Sequence, residues 1–237
     1  MEEEVLRYID EREREEIEER DALFTRLTEN FTCELGKTIS KQERHEKRLN
    51  SNSLTYGEIE FKAIAQVFQA MRKRFGCFQE SGGTFIDIGS GTGKGVLTGA
   101  LMHPFAKCIG VEILDSLYSK SLELKEVYDK HREQTLQENA PTFDVHQGDL
   151  LQHDWHSQAD FVLANSTCFD LPLMKQIAQK ASLMKVGSWM ITLTKKLPSA
   201  DPLFTRNPED RDWECVMSIK MVMSWGYATV NVQRKIK

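Results

Sequence analysis

The run F-I-D-I-G-S-G-T-G-K-G, residues 85–95, places glycine at positions 89, 91, 93 and 95, with Asp87 just ahead of the first. Backbone that bare lets a ligand come closer than side chains would allow. Phosphate is the first candidate. A P-loop needs G-x-x-x-x-G-K-[ST], with the lysine on phosphate and the hydroxyl on magnesium. Here Gly93-Lys94 is followed by Gly95, and Ile88 stands where the first glycine would be. A dinucleotide loop needs G-x-G-x-x-G. Counted from Gly89 the last position is Lys94, and counted from Gly91 it is Val96. Neither pattern is met.

A third ligand, S-adenosylmethionine, carries a zwitterion in place of a pyrophosphate. Asp87, at the end of a first strand, suits its ammonium group. Gly89, Gly91, Gly93 and Lys94 then form the turn that lies against it. Ribose hydroxyls want an acceptor at the end of the second strand, and Glu112 stands about twenty residues beyond the glycines, as a ribose-binding carboxylate does. The adenine wants a polar partner after the third strand, where H-Q-G-D-L places Asp149. Singly, these residues could be a helix cap, a surface charge and a turn residue. Together they stand at the ends of three successive strands.

Elements that would position them follow from the pattern of apolar residues. A helix is expected over 61–75, where Phe61, Ile64, Val67, Phe68 and Met71 share a face. Strands are expected over 84–88, 107–111, 143–145, 160–164 and 189–193. Helices alternate with them over 96–102, 114–132 and 171–184, the last closed by Gly187. Two further strands, 214–223 and 227–233, read as a hairpin about Trp225-Gly226. Apolar strands alternating with helices imply an α/β fold, a parallel sheet covered on both faces, with the hairpin adding antiparallel strands. Seven strands in all make the fold expectation a Rossmann-like class I methyltransferase sheet, residues 51–237. Residues 1–50 form a charge-dense helical extension, in which Val5, Leu6, Ile9, Ile17, Leu23, Phe24 and Leu27 give a thin apolar stripe. It reads as a solvated helix resting on the domain, or as a lid or partner-binding helix.

Bulk properties narrow the class. The chain has 237 residues and a formal net charge of -5, which argues against a basic nucleic-acid-coating domain. Local basic clusters at 37–48 and 234–237 leave room for weak nucleic-acid contact. The acidic N-terminus is not a secretory signal, and no apolar run is long enough for a membrane span. Five widely spaced cysteines and no C-x-x-C pair point to a reducing compartment without a zinc site. His153 and His156 read as part of a solvated loop, and no metal is expected.

After the fourth strand comes A-N-S-T-C-F, where class I methyltransferases face the transferred methyl. The N-P-P-Y tetrapeptide of nucleobase and glutamine methylation is absent. At this point the chain resembles the disruptor-of-telomeric-silencing family of non-SET histone-lysine methyltransferases. The resemblance lies in L-T-Y-G-E-I (54–59), the glycine run itself, G-V-E-I-L-D (110–115) and V-L-A-N-S-T-C-F (162–169), with a weaker match in M-S-W-G (223–226). It covers about residues 50–237 and implies a lysine acceptor, a histone or nucleosome partner and a nuclear or cytoplasmic location. Residue by residue it implies that Tyr56 and Glu58 close over cofactor and substrate and that Asn165 sits beside the methyl. Phe169 would line the substrate channel and Trp225 its outer wall. Ser166 and Thr167 depart from the family segment.

The implied chemistry is in-line displacement at the sulfonium methyl. A lysine is mostly protonated at neutral pH, and an apolar channel beside a cation would lower its pKa by desolvation and repulsion. Positioning and desolvation would then carry catalysis without a strong base. Two alternatives stay open: a class I methyltransferase for another protein or a small molecule, and a binding module that has lost the chemistry.

Overall fold

The computed structural model describes residues 9–135 and 139–237. Seven strands form one sheet: β1 (Thr84–Ile88), β2 (Lys107–Glu112), β3 (Thr142–Gln147), β4 (Phe161–Ala164), β5 (Trp189–Leu193), β6 (Trp213–Met223) and β7 (Gly226–Lys235). Their order across the sheet is β3-β2-β1-β4-β5-β7-β6. The first five run parallel, and β7 is antiparallel to both β5 and β6. This is the doubly wound sheet expected, with the hairpin closing one edge.

Among the described residues six α-helices accompany it: α1 (Glu11–Leu27), α2 (Cys33–Glu46), α3 (Phe61–Phe75), α4 (Lys94–Met102), α5 (Asp115–Gln134) and α6 (Leu171–Ala181). Burial along the strands separates centre from edge. β1 and β4 are buried over nearly their whole length because helices cover both faces, whereas β6 alternates buried and exposed residues as a strand with one solvated face must. One face of the sheet packs its apolar side chains, among them Phe85, Phe161 and Val230, against α1, α3 and α4. The other packs Ile86, Ile88, Val162 and Met190 against α6 and Trp155.

Residues 9–50 carry two α-helices. Asp10 and Glu13 form a reciprocal capping box at the start of α1. Ile17, Phe24 and Leu27 are buried, and the Phe24 ring stacks on Phe61 of α3 with centroids 4.8 Å apart. Lys62 and Lys73 of α3 pair with acidic residues of the α1 segment. Thr32 caps α2. Val5 and Leu6 of the expected stripe lie outside the described residues.

Helix α6 ends earlier than the sequence suggests. Its last residue is Ala181, and two tight turns, Leu183 N–H to Lys180 O and Met184 N–H to Ala181 O, follow it. Gly187, with φ of 90°, starts the approach to β5 and does not close the helix.

Candidate functional site

All the residues singled out for chemistry stand near one edge of the sheet, at the carboxyl ends of the parallel strands, where open α/β sheets bind ligands. The register sets Asp87 beside Gly110 and Leu163, and Ile88 beside Val111 and Ala164, so Asp87, Glu112 and Asn165 sit at neighbouring strand ends. The glycine loop leaves β1 and is stitched to β2, where Val111 O accepts from Gly89 N–H and Ser90 N–H at 2.8 and 3.0 Å. Two of its glycines have no room for a side chain. A Cβ at Gly91 would lie 2.6 Å from the Tyr56 ring, and one at Gly95 would lie 2.1 Å from Asp87 Oδ2. Gly93 turns away from the cleft toward Phe143 and Ser121.

Asp87 is buried, and burial followed by the neighbouring charge of Glu112 pushes its carboxyl up to about 8. Burial also raises Glu112, although its oxygens accept from three backbone groups: Gly91 N–H at 2.8 Å, Ile113 N–H at 2.9 Å and Leu114 N–H at 2.8 Å. Two buried neighbouring carboxylates with no ion-pair partner among the described residues favour a ligand that brings positive charge and hydroxyl donors. Asp149 lines the same cleft beside Gly148 and Leu150, and its Oδ1 accepts from Leu151 N–H at 2.8 Å.

The loop at 54–59 closes the other side. Tyr56 hydroxyl donates to Glu58 Oε1 at 2.6 Å and lies 2.9 Å from Thr92 Oγ1. Lys94 donates to the second oxygen of Glu58 at 2.7 Å, in an ion pair about nine-tenths buried. Burial first, then the Glu58 charge, hold the phenol well above its usual range. The ring fits between Gly91 and Gly36 of α2, where a Cβ would lie 2.2 Å from it. Ser224 hydroxyl donates to Glu58 O at 2.8 Å, and the Trp225 ring packs on Gly57, 3.0 Å from where a Cβ would stand. Trp225 therefore braces this loop from the hairpin side and is not among the residues that line the cleft.

Asn165 joins the loop to the sheet. Its Nδ2 donates to Gly57 O at 2.8 Å, while its buried Oδ1 has no partner among the described residues. Phe169 lines the cleft and packs on Gly89, on the glycine side. Ser166, where the family segment has a second asparagine, is buried and donates to Leu193 O at 2.7 Å, so it ties the end of β4 to β5.

The cleft has a volume of about 380 Å³, within the range of small-molecule sites. Its wall combines the two carboxylates, Asn165 and an apolar slot of Ile113, Leu114, Leu117 and Leu150. That donor set fits S-adenosylmethionine: Asp87 for the ammonium, Glu112 for the ribose, and the slot with Asp149 for the adenine. Lys94 and Glu58, expected among the cofactor contacts, spend their charges on each other. Thr92, Gly36 and Gly57 carry no signal of their role in the sequence. Thr92 is one of the variable positions of the glycine run, and the roles of the two glycines depend on distant rings. Among the described residues, no group of three or more His, Cys, Asp or Glu side chains is placed to hold a metal ion.

Comparison with known proteins agrees with this geometry. The sequence model of the family described as "Histone methylation protein DOT1" matches residues 26–231. A Kluyveromyces lactis protein named "Histone-lysine N-methyltransferase, H3 lysine-79 specific" is 27% identical over 187 residues, covering 76% of this chain and 31% of that protein. An Aspergillus fumigatus protein of the same name is 26% identical over 185 residues, covering 76% and 35%. The chain thus spans about a third of the length of the curated relatives it matches. Among solved structures, a Listeria monocytogenes protein described as a class I S-adenosylmethionine-dependent methyltransferase superposes with a TM-score of 0.56 at 14% identity, over 88% of this chain and 70% of that one. That likeness shows the fold. The family match spans most of the sequence: the chain belongs to the DOT1 family of histone methylation proteins.

Proposed function

We propose that the chain transfers a methyl group from S-adenosylmethionine to the side-chain amine of a protein lysine, with a histone lysine as acceptor. The observation that carries the reading is Asn165: one end of its amide is fixed on Gly57 O, and the other is a buried acceptor without a partner among the described residues, beside the cleft. Such an oxygen can receive an N–H from an incoming amine and aim its lone pair. When bound, the cofactor supplies a methyl on a sulfonium, open to in-line displacement.

The chain's own residues do the rest. Asp87 ionises to hold an ammonium group. Glu112 keeps its backbone donors and offers remaining lone pairs to hydroxyls. Tyr56 already has both its partners, so it acts by position. With Glu58, Lys94 and Thr92 it forms a buried polar chain that fixes the 54–59 loop over the glycine turn. The cleft carboxylates Asp149 and Asp170 each cap backbone N–H groups, and in this reading desolvation of the amine takes the part of a general base. In this reading residues 51–237 are the catalytic unit and residues 1–50 an extension, braced against it along residues 9–50.

A nucleosomal acceptor and a nuclear location follow from the histone reading. The basic cluster at 37–48 is the better candidate for nucleic-acid contact. In the other cluster, Lys235 is buried on Asp212 at 3.2 Å and Arg234 lies over the Trp189 ring.

The test offers free core histones, intact nucleosomes and a cell extract side by side with radiolabelled S-adenosylmethionine. Label in a histone is the expected result, and preference for nucleosomes would add a composite surface. Label confined to other proteins or to small molecules would keep the cofactor and discard the histone.

A further inference from the structure

A second cavity, of about 460 Å³, opens at the same edge of the sheet, on the α6 face beyond the Asn165 segment. The two cavities share a wall. Asn165, Phe169 and Asp170 line the first, and Leu171, Met174 and Thr194 line the second. The wall is fixed from the second cavity's side. Lys195 Nζ donates to Thr167 O at 2.8 Å, and the hydroxyls of Thr194 and Thr167 lie 3.1 Å apart. Thr194 holds φ at 66°, a left-handed conformation that is unfavourable for a β-branched residue and that clusters at functional sites.

The inner end of the cavity carries a donor with nothing to bind. Asn231 of β7 is 1% exposed. Its Oδ1 accepts from Ser218 hydroxyl at 2.9 Å, and its Nδ2 has no partner among the described residues. Two lysines, Lys195 and Lys196, also line the cavity. Lys196 has no ion pair among the described residues, and Lys195 keeps N–H groups beyond the one given to Thr167. The carboxylate in the lining, Asp201, is turned onto its own loop, where Oδ1 accepts from Leu203 N–H at 2.9 Å. Leu171, Met174, Pro198 and Phe204 make the remaining walls largely apolar.

A buried amide donor and two ammonium groups, in a recess whose one carboxylate is turned onto its own loop, suit one chemistry, a carboxylate on a short side chain. We infer that this cavity is an acceptor-side subsite that receives an aspartate or glutamate side chain of the protein substrate, near the lysine to be methylated. The inference rests on the protein-lysine reading above for the identity of the occupant. The carboxylate pocket itself stands on the cavity's own residues. A lysine flanked by an acidic residue would be selected, and the wall between the cavities would set the distance between the two side chains.

The experiment has two arms, both on the full chain. In the first, acetate is titrated into 15N-labelled protein at constant ionic strength, with chloride as the control, and the Asn231 side-chain amide is followed by NMR. A saturable shift of that amide and of the 194–196 backbone is expected, weakened about tenfold in Lys196→Gln, as removal of a charge-assisted hydrogen bond requires. Lys196 is only partly buried and belongs to neither apolar core, so this variant leaves the core alone, whereas Asn231→Leu alters a buried strand and is used only if it keeps the wild-type melting temperature. In the second arm, lysine peptides with and without a neighbouring aspartate are compared as acceptors. The acidic peptide should show the lower KM at equal kcat, and Lys196→Gln should erase the difference without changing cofactor affinity. No saturable shift, or the same shift in Lys196→Gln, overturns the subsite whatever the second arm gives. A normal acetate shift with no transfer to any protein acceptor overturns the protein-lysine reading, and the proposed occupant with it.

Discussion

The two sides of the catalytic edge are built differently. On the cofactor side, Asp87, Glu112, Gly91 and Gly93 are buried, and Glu112 is tied to three backbone donors. On the acceptor side, Thr194 and Phe204 are exposed, and both Asn165 and Asn231 present polar atoms without partners among the described residues. On the proposed function, the first half is held by the backbone before any ligand arrives, and the second leaves polar atoms for its substrate. A preformed cofactor half would limit ordering losses on binding, and in the proposed reaction the acceptor half would leave its hydrogen bonds for the transfer step, where they affect rate more than affinity.

The largest expected effect breaks the cofactor half alone. Asp87→Asn should weaken S-adenosylmethionine binding by more than about a hundredfold, since an ammonium then meets no buried countercharge. Calorimetric titration measures it. The same change should stabilise the ligand-free protein at pH 9, because the wild type must hold an ionised carboxylate in a buried site. The direction follows from a folded-state value of about 8 against an ordinary 3.8. The stability from protonated Asp87 is complete below the ordinary value and is lost as pH rises toward 8. Cofactor affinity runs the other way, rising with pH by up to about tenfold per unit and levelling above that value.

Next comes the acceptor half. Asn165→Ala should lower kcat by about a hundredfold, the scale on which one preorganised hydrogen bond stabilises a transition state. The dissociation constant for the cofactor should change by less than about threefold.

A smaller effect sharpens the comparison from outside the cleft. Glu43 of α2 is buried, and its carboxylate accepts from Asp115 N–H at 2.9 Å, Ser116 N–H at 2.7 Å and Lys47 at 2.7 Å. Burial alone would raise it, but those bonds outweigh burial and hold it down at about 2. It caps α5 directly after Glu112-Ile113-Leu114, while Gly36 of the same helix receives the Tyr56 ring. Glu43→Ala should cost about 1–3 kcal/mol of stability and weaken cofactor binding by about tenfold or less, with kcat at saturation unchanged. Thermal melts and titration together separate these. The stability due to Glu43 is present above the ordinary carboxylate range and lost as pH falls toward 2. Smallest of all, Tyr227→Ala on the exposed hairpin should shift stability by less than about 1 kcal/mol, since its stacking with Lys220 is solvent-facing.

Legibility in the sequence divides along the same line. Strand ends and the glycine run are local patterns, so Asp87, Glu112 and Asp149 can be placed by counting along the chain. Asn165 is legible because it directly follows an apolar strand. Lys94 and Glu58 each stand in a motif and so suggest cofactor contacts, yet the ion pair between them joins residues far apart in the chain, which no spacing announces. The part played by Glu43 is hidden in the same way: within K-Q-E-R-H-E-K-R it looks like one charge among many. Asn231 sits in a strand pattern that gives no hint that its amide donor is left over.

One pair of measurements on a single variant tests the account most directly. Wild type and Asn165→Ala are compared for S-adenosylmethionine affinity and for single-turnover label transfer to core histones. A fall in transfer of about a hundredfold with affinity held within about threefold would support two separately built halves meeting at Asn165. Equal loss of affinity and transfer, or transfer that survives the change, would contradict it.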